Sequence, residues 1–407
     1  MMEENGLPKG WVETTLGENL SEIAMGPFGS NLKVDMFTKS GVPIIKGSNL
    51  LKDFVSGDFT FVSEEKANSL GKAIAFPNDL IITHRGTLGQ VSLVPKNKYK
   101  RYVTSQSQLR LSVNPKKIYY RYLLYFFKSR TGQYELLKNA SQVGVPAIST
   151  PTKSIKEVEL IIPSNIQEQN AIASILTSFD DKIELLQAQN ETLETIAQTI
   201  FKEWFGKYQV GDELPEGWRV GKLGDVVNLF DSQRIPLSKS QREERKGSYR
   251  YYGATNILDY IDDYIFDGIY LLFAEDGSVI DENGNPVLQY VWGKFWVNNH
   301  AHIIQGTNGL STELLYVFCK NMRVESIING AVQLKINQRN LLGFDIVIPK
   351  KEFLLKLDNL IQPLFEKVRK NNQQIQTLQA TRDTLLPKLM SGQLRVAEFK
   401  EHLCEVM

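Results

Sequence analysis

The feature that most constrains this chain is that it is written twice. Leu7-Pro8-Lys9-Gly10-Trp11, followed by Leu16-Gly17, returns as Leu214-Pro215-Glu216-Gly217-Trp218, followed by Leu223-Gly224. Gly47-Ser48-Asn49 is echoed by Gly253-Ala254-Thr255-Asn256, and Ile162-Pro163 by Ile348-Pro349. A single pentad would mean little, but features recurring in the same order describe a duplication. In each half, segments rich in aromatic and β-branched residues with Gly, Pro and Asn turns come first, such as Val42 to Leu50, Leu80 to Val94 and Tyr264 to Phe273. A long helical pattern then follows the Ile-Pro. The expected division is a globular domain over 1–162, a helical region over 163–210, a second domain over 211–348 and a second helical region over 349–407.

In the first helical region Ile172, Leu176, Phe179, Ile183, Leu186, Asn190, Leu193, Ala197, Ile200 and Trp204 alternate spacings of four and three, which is a heptad seam. Ser164 and Gln167 stand in capping-box spacing, and Gly206 marks the stop. Leu357, Ile361, Leu364, Val368, Asn371, Ile375, Leu378, Arg382, Leu385 and Leu389 repeat the seam, with Pro363 and Pro387 weakening continuity near its ends. Each seam spans about 48 Å. Setting Asn190 opposite Asn371 in an antiparallel pair closes the register over the full length, a use of buried asparagine that fixes alignment at some cost in stability. The alternative is that both asparagines face solvent.

Charge narrows the function. The total is 47 basic against 46 acidic residues, so the chain does not coat nucleic acid everywhere. Yet Leu80 to Tyr134 holds eleven basic residues and no acid, while Tyr251 to Gly293 holds eight acids and no base. No run of eighteen apolar residues occurs, and Met1-Met2-Glu3-Glu4 lacks a basic, apolar leader, so a cytoplasmic protein without membrane contact is expected. Two distant cysteines and four histidines give metal chemistry a poor start, and no cofactor is expected.

These residues resemble the specificity subunits of type I restriction-modification systems. The resemblance rests on Leu-Pro-x-Gly-Trp with Leu-Gly, on Gly26-Pro27-Phe28-Gly29-Ser30, and on Ile162-Pro163 leading through Glu168-Gln169 to Lys202-Glu203-Trp204-Phe205. In the second half it rests on Arg382-Asp383-Thr384-Leu385-Leu386-Pro387-Lys388-Leu389-Met390-Ser391-Gly392. It implies an α+β fold with a pseudo-twofold repeat, in which two similar α/β target-recognition domains are separated by two long antiparallel coiled-coil helices. Each domain would read half of a split, asymmetric double-stranded DNA sequence. The helices would dock two methyltransferase (modification) subunits and, through them, restriction subunits.

The residues themselves suggest a reader and not an enzyme. The glycines near Gly41 and Gly47 lack P-loop spacing, and Asn285-Pro286-Val287 only begins like the tetrad amino-methyltransferases use to hold a flipped adenine. Glu275 and Asp276 read as a solvated acidic loop, and His300 and His302 lack an acidic or cysteine partner in ligand spacing. A DNA-modifying enzyme with an unfamiliar motif, and a coiled-coil scaffold whose domains bind protein, stay open as alternatives.

Bases are discriminated by side chains that match base-edge donors and acceptors, whereas Lys and Arg on phosphates give affinity. Candidates in the first domain are Ser30, Asn31 and Lys33, then His84, Arg85 and Thr87, then Ser105, Gln106 and Gln108. Lys98, Lys100 and Arg101 suit phosphates. Gln106 and Gln108 read equally as a solvated strand face. In the second domain the candidates are Gln233, Arg234, Lys239 and Arg242; Asn298, Asn299, His300 and His302; and Gln333, Lys335, Asn337 and Gln338. Apolar residues off the helical seams (Ile175, Ile196, Phe201, Phe205, Leu360, Phe365, Leu386 and Met390) need cover from the recognition domains or from docked subunits.

Overall fold

The two repeated motifs turn out to be each other's partners. In a computed structural model that describes residues 6–330 and 334–396, the strand that opens with the first Leu-Pro-x-Gly-Trp, β1 (Trp11–Thr15), pairs antiparallel with the strand that ends in the first Ile-Pro, Glu159–Pro163, and sets Trp11 opposite Pro163. In the second half Arg219–Lys222 pairs in the same way with Asp345–Ile348. Each pair draws together the two ends of a globular domain at the start of a long helix. The chain forms two units, Met1–Glu184 with Gln376–Met407, and Leu185–Ile375.

Within the first unit a four-stranded sheet follows the order β2 (Leu20–Met25), Gln108–Val113, Leu80–Thr83 and Val91–Leu93. A second sheet holds β3 (Val42–Ile45), which lies parallel to β4 (Tyr102–Thr104). In the second unit the same path makes one six-stranded sheet, because β6 (Leu288–Val297) runs without a break from the partner of Phe266–Ala274 to the parallel partner of β5 (Lys246–Tyr252). The break in the first unit falls at Pro95, which lacks a ladder donor, and at the lysine-rich loop after it. In β6 the corresponding bend is absorbed by Gly293, at φ +79, opposite Gly268.

The long helices are α1 (Ile166–Trp204) and α2 (Lys351–Met390). The N-terminal cap of α1 is Asn165 and not Ser164: Asn165 Oδ1 accepts from Gln167 N at 2.8 Å, while Ser164 Oγ donates to Gly10 O. Pro363 and Pro387 do not interrupt α2. Both rings lie on the exposed face while Ile361, Phe365 and Leu389 stay buried, so packing carries the helix across them.

The seams are buried as expected at Ile172, Leu176, Ile183 and Leu389 in the first unit, and at Leu186, Ala197, Leu357, Ile361, Val368 and Ile375 in the second. Trp204 departs from the expectation: it is 42% exposed and meets the Phe353 ring at a tilt of 49°. In the second unit Asn371 Nδ2 donates to Asn190 Oδ1 at 2.8 Å, both side chains buried, and Asn371 Oδ1 has no partner among the described residues. In the first unit the polar seam residue Arg382 reaches Asp180 Oδ1 at 2.5 Å, and Tyr125 Oη donates to Asp180 Oδ2 at 2.6 Å. Burial alone would raise the Asp180 carboxyl, but Lys128, Tyr125 and Arg382 hold it below the usual range.

The apolar side faces of the helices are covered from within the chain. Phe201 and Phe205 lie against Leu314, Phe318 and Ile348, and Phe365 against Tyr290 and Tyr316, all in the core of the second unit. Met390, with Ile175 and Leu386 partly buried beside it, joins the first unit's core of Leu80, Leu109, Tyr122 and Phe127. Of the two kinds of cover expected, Phe201, Phe205, Phe365 and Met390 take the first: the globular domains bury them, so they are not the docking surface for a partner subunit. Ile196 and Leu360 remain exposed. No described helix is long and apolar enough to cross a membrane.

The asparagine pair sets a test. Asn371→Leu leaves the Asn190 amide buried without its partner and should cost about 1–3 kcal/mol in urea denaturation, whereas Asn190→Leu with Asn371→Leu should recover that loss. Two small, additive single effects would contradict the pairing.

Candidate nucleic-acid interface

The repeat places the same four segments around the same kind of turn in each unit. In the first unit the turn joins β4 to Gln108–Val113: Ser105 N donates to Ile45 O (3.1 Å) and His84 N to Ser107 O (2.9 Å). In the second unit the turn after β6 matches it, with Asn298 N donating to Tyr252 O (3.0 Å) and Glu275 N to His300 O (2.9 Å). A further segment closes each centre: Ile148 N donates to His84 O and Gly86 N to Pro146 O, as Ile336 N donates to Glu275 O and Gly277 N to Leu334 O. The bridge Arg85 to Ala147 recurs as Asp276 to Lys335. These bonds align Ser105, Gln106 and Ser107 with Asn298, Asn299 and His300. They also place Gln108 on Ala301, so His302 corresponds to the core residue Leu109.

The fourth segment is the loop after Leu20–Met25 in the first unit and after Val227–Leu229 in the second. In the first unit it is Gly26 to Lys33, pressed so tightly on the turn that a Cβ on Gly26 would lie 1.8 Å from Ser105 O, and one on Gly29 2.6 Å from Gln106 Oε1. At Gly26, where the obstacle is backbone, only glycine permits that approach. A hollow between loop and turn is lined by Gly29, Leu32, Phe37, Ile44, Lys46, Ser105, Gln106 and Ser107. In the second unit the loop begins at Asp231 and reaches the turn through Arg234 Nη1, which donates to Ala301 O at 2.8 Å and meets Glu275 Oε2 at 2.8 Å.

Several candidates prove to be scaffold. His84 is buried with Nε2 3.1 Å from Gln106 O, and burial pushes its imidazole below the ordinary value, so it is no phosphate-binding cation. Gln108 is buried and bonds Ser105 Oγ. Asn298 is buried and accepts from His300 N. Asn337 caps a short helix by accepting from Asn340 N. Arg242 packs over the Tyr251 ring and donates to Leu237 O, and Arg101 is paired with Glu64. Lys98, Lys100 and Arg101 precede β4 and therefore stand at the opposite end of that strand from Ser105. Gln333 lies outside the described residues.

His302 is the clearest correction. It is fully buried, Nδ1 at 2.6 Å from Asp231 Oδ2 and Nε2 at 2.7 Å from Ile336 O. Acids do reach it, from positions too distant in sequence to be seen as ligand spacing: Asp231, Glu275 and His302 bring their donor atoms within 4.8 Å of one another. Arg234, Lys335, Gln338 Nε2 and Ile303 N already point at those carboxylate oxygens, so the directions a cation needs are taken. Burial would raise both carboxyls, but the donors win and hold Asp231 and Glu275 below the usual range.

Left exposed around the first centre are Ser30, Asn31, Lys33, Arg85, Thr87 and Gln106, and around the second Gln233, Asn299, His300 and Gln338, with Lys239 farther along the loop. Arg85 has no ion-pair partner among the described residues, while Lys335 is held by Glu275. Sequence reasoning passed over Lys46, which lines the first hollow with Ser107, and Phe28, which is 81% exposed. An aromatic residue inside a Gly-Pro-x-Gly turn, outside any apolar periodicity, was the available signal for Phe28. The basic stretch is also less basic in space. Arg110 is buried on Glu22 and Asp79, and Lys128 meets Asp53, all acids from outside it.

The description "Type I restriction modification DNA specificity domain" belongs to the family whose model matches residues 8–195 and 215–377. The chain belongs to this family. Its members are non-catalytic specificity subunits of type I restriction-modification systems. The MjaIX specificity subunit of Methanocaldococcus jannaschii is 27% identical over 430 residues, covering 96% of this chain and 95% of that one. A putative specificity subunit of Haemophilus influenzae is 37% identical over 140 residues, 34% of this chain and 35% of its own. The crystal structure of the specificity subunit from M. genitalium shares the fold, with TM-score 0.60 at 19% identity, covering 95% of this chain and 98% of that one.

Because Asp231 and Glu275 have depressed folded-state values, the stability they confer is present above the unfolded carboxylate range and lost as pH falls through the folded values, below about pH 4. Asp231→Asn should lower Tm at pH 7 and flatten the decline of Tm below about pH 4. An unaltered acid limb in a pH series of melting curves would remove Asp231 from that role.

Proposed function

We propose that this specificity subunit reads an asymmetric, bipartite DNA target, one half with each unit, and carries modification subunits on its long helices. The observation behind this reading is that one hydrogen-bonded skeleton recurs in both units and presents different side chains at equivalent points. Arg85 stands where Asp276 stands, Gln106 where Asn299 stands, Ser107 where His300 stands and Ala147 where Lys335 stands. A shared skeleton suits docking on the same kind of duplex, and unlike side chains suit unlike half-sites.

In the first unit Arg85 has the fork geometry for guanine O6 and N7, and Gln106 the paired donor and acceptor for adenine. In the second unit Asn299 offers the adenine pattern. Lys33, Lys98, Lys100 and Lys239 are exposed and suit phosphates, a role that needs no common face with the base readers. Two modification subunits, with restriction subunits through them, fit the two similar halves. Ile196 and Leu360, 43% and 42% exposed, are apolar positions left for such contacts.

Exchange of residues 1–162 for the first domain of another specificity subunit should change one half-site and leave the other, as read by methylation or binding across a randomised target library. Arg85→Ala should cost about 1–3 kcal/mol against the preferred base at one position of that half-site. Change in both half-sites after the exchange would refute two independent readers.

A further inference from the structure

The second centre carries an acid where the first carries its free arginine, which is a liability on a surface that approaches phosphates. Its use lies in the neighbour. His300 Nδ1 donates to both oxygens of Asp276, at 2.8 and 2.9 Å. The imidazole is 48% exposed and its Nε2 has no partner among the described residues. The backbone on either side is fixed: His300 N donates to Asn298 Oδ1 and His300 O accepts from Glu275 N. The other nearby acid, Glu275, is taken by Arg234 and Lys335. Among the described residues, His300 is the side-chain partner of Asp276.

We propose that His300 reads a base edge in the half-site of the second unit, with Asp276 as its positioning residue. In its neutral form the His300 imidazole carries one N–H and one acceptor nitrogen, and a carboxylate can only accept, so in that form the bond to Asp276 puts the proton on Nδ1 and turns the Nε2 lone pair outward. Such an acceptor recognises an exocyclic amino group in the major groove, adenine N6 or cytosine N4, and rejects the carbonyl oxygens of guanine and thymine. The equivalent positions of the first unit, Ser107 and Arg85, cannot make this pair, so the preference belongs to one half-site. The proposal rests on the two-reader function above.

The experiment measures binding of the full-length chain to its selected target and to duplexes varied one base pair at a time. His300→Ala should relax discrimination at a single base pair of the second unit's half-site, about 5- to 150-fold, and leave the other half-site intact. Replacing the read base by an analogue without its amino group (purine for adenine, 2-pyrimidinone for cytosine) should cost the wild type the same factor and the variant nothing. Asp276→Asn keeps an acceptor for Nδ1–H and should retain most of the discrimination, whereas Asp276→Ala should lose it at that base pair alone. Undiminished discrimination in His300→Ala, or equal loss at every base pair in Asp276→Ala, overturns the dyad while two half-sites survive. A wild-type chain with no two-part preference overturns the underlying reading with it.

Discussion

Everything recognisable about the two sites depends on how firmly each globular domain is joined to its stretch of the long helices. In the second unit Phe201, Phe205 and Phe365 leave the helical seam and enter the domain core against Leu314, Tyr316 and Ile348. Burying three phenyl groups at about 1.5–3 kcal/mol each outweighs any single polar contact in the unit. In the first unit Leu176, Leu389 and Met390 enter the core with Tyr122 and Phe127 in the same manner. The helices are therefore structural members of the domains, and the strand pairs at Trp11 and Pro163, and at Arg219 and Ile348, complete the joints.

Polar groups inside these joints act as selectors of geometry. Asn190 with Asn371, and Asp180 with Arg382 and Tyr125, give up burial of apolar surface for contacts that work in one register only. Neither arrangement adds much net stability, because desolvation offsets most of the gain, but a slipped register strands an amide or a charge. The heptads favour pairing, and these groups choose which pairing.

The same logic explains the unlike electrostatics of the two centres. The first unit has the apolar Leu109 in its interior and leaves Arg85 without an ion-pair partner among the described residues. The second places His302 at the equivalent point, where Asp231 and Glu275 meet the imidazole, Arg234 pairs with both acids and Gln338 bonds Asp231. The two cores therefore hold different networks and leave different charges at the surface. That is how a common scaffold comes to present dissimilar faces.

The duplication, the two helical seams, the asparagine pair and the absence of familiar catalytic spacings were all legible in the residues, because periodicity and repetition are properties of linear order. The fate of individual polar side chains was not. His84, Gln108, Asn298 and His302 have the composition of base readers, yet each spends its hydrogen bonds inside the fold, and the acids that hold His302 lie 71 and 27 residues away in the chain. Whether Phe201 awaits a partner or already has one is likewise a question of which surface arrives first. Burial and pairing are decided by neighbours in space, and only the tertiary structure brings those neighbours together.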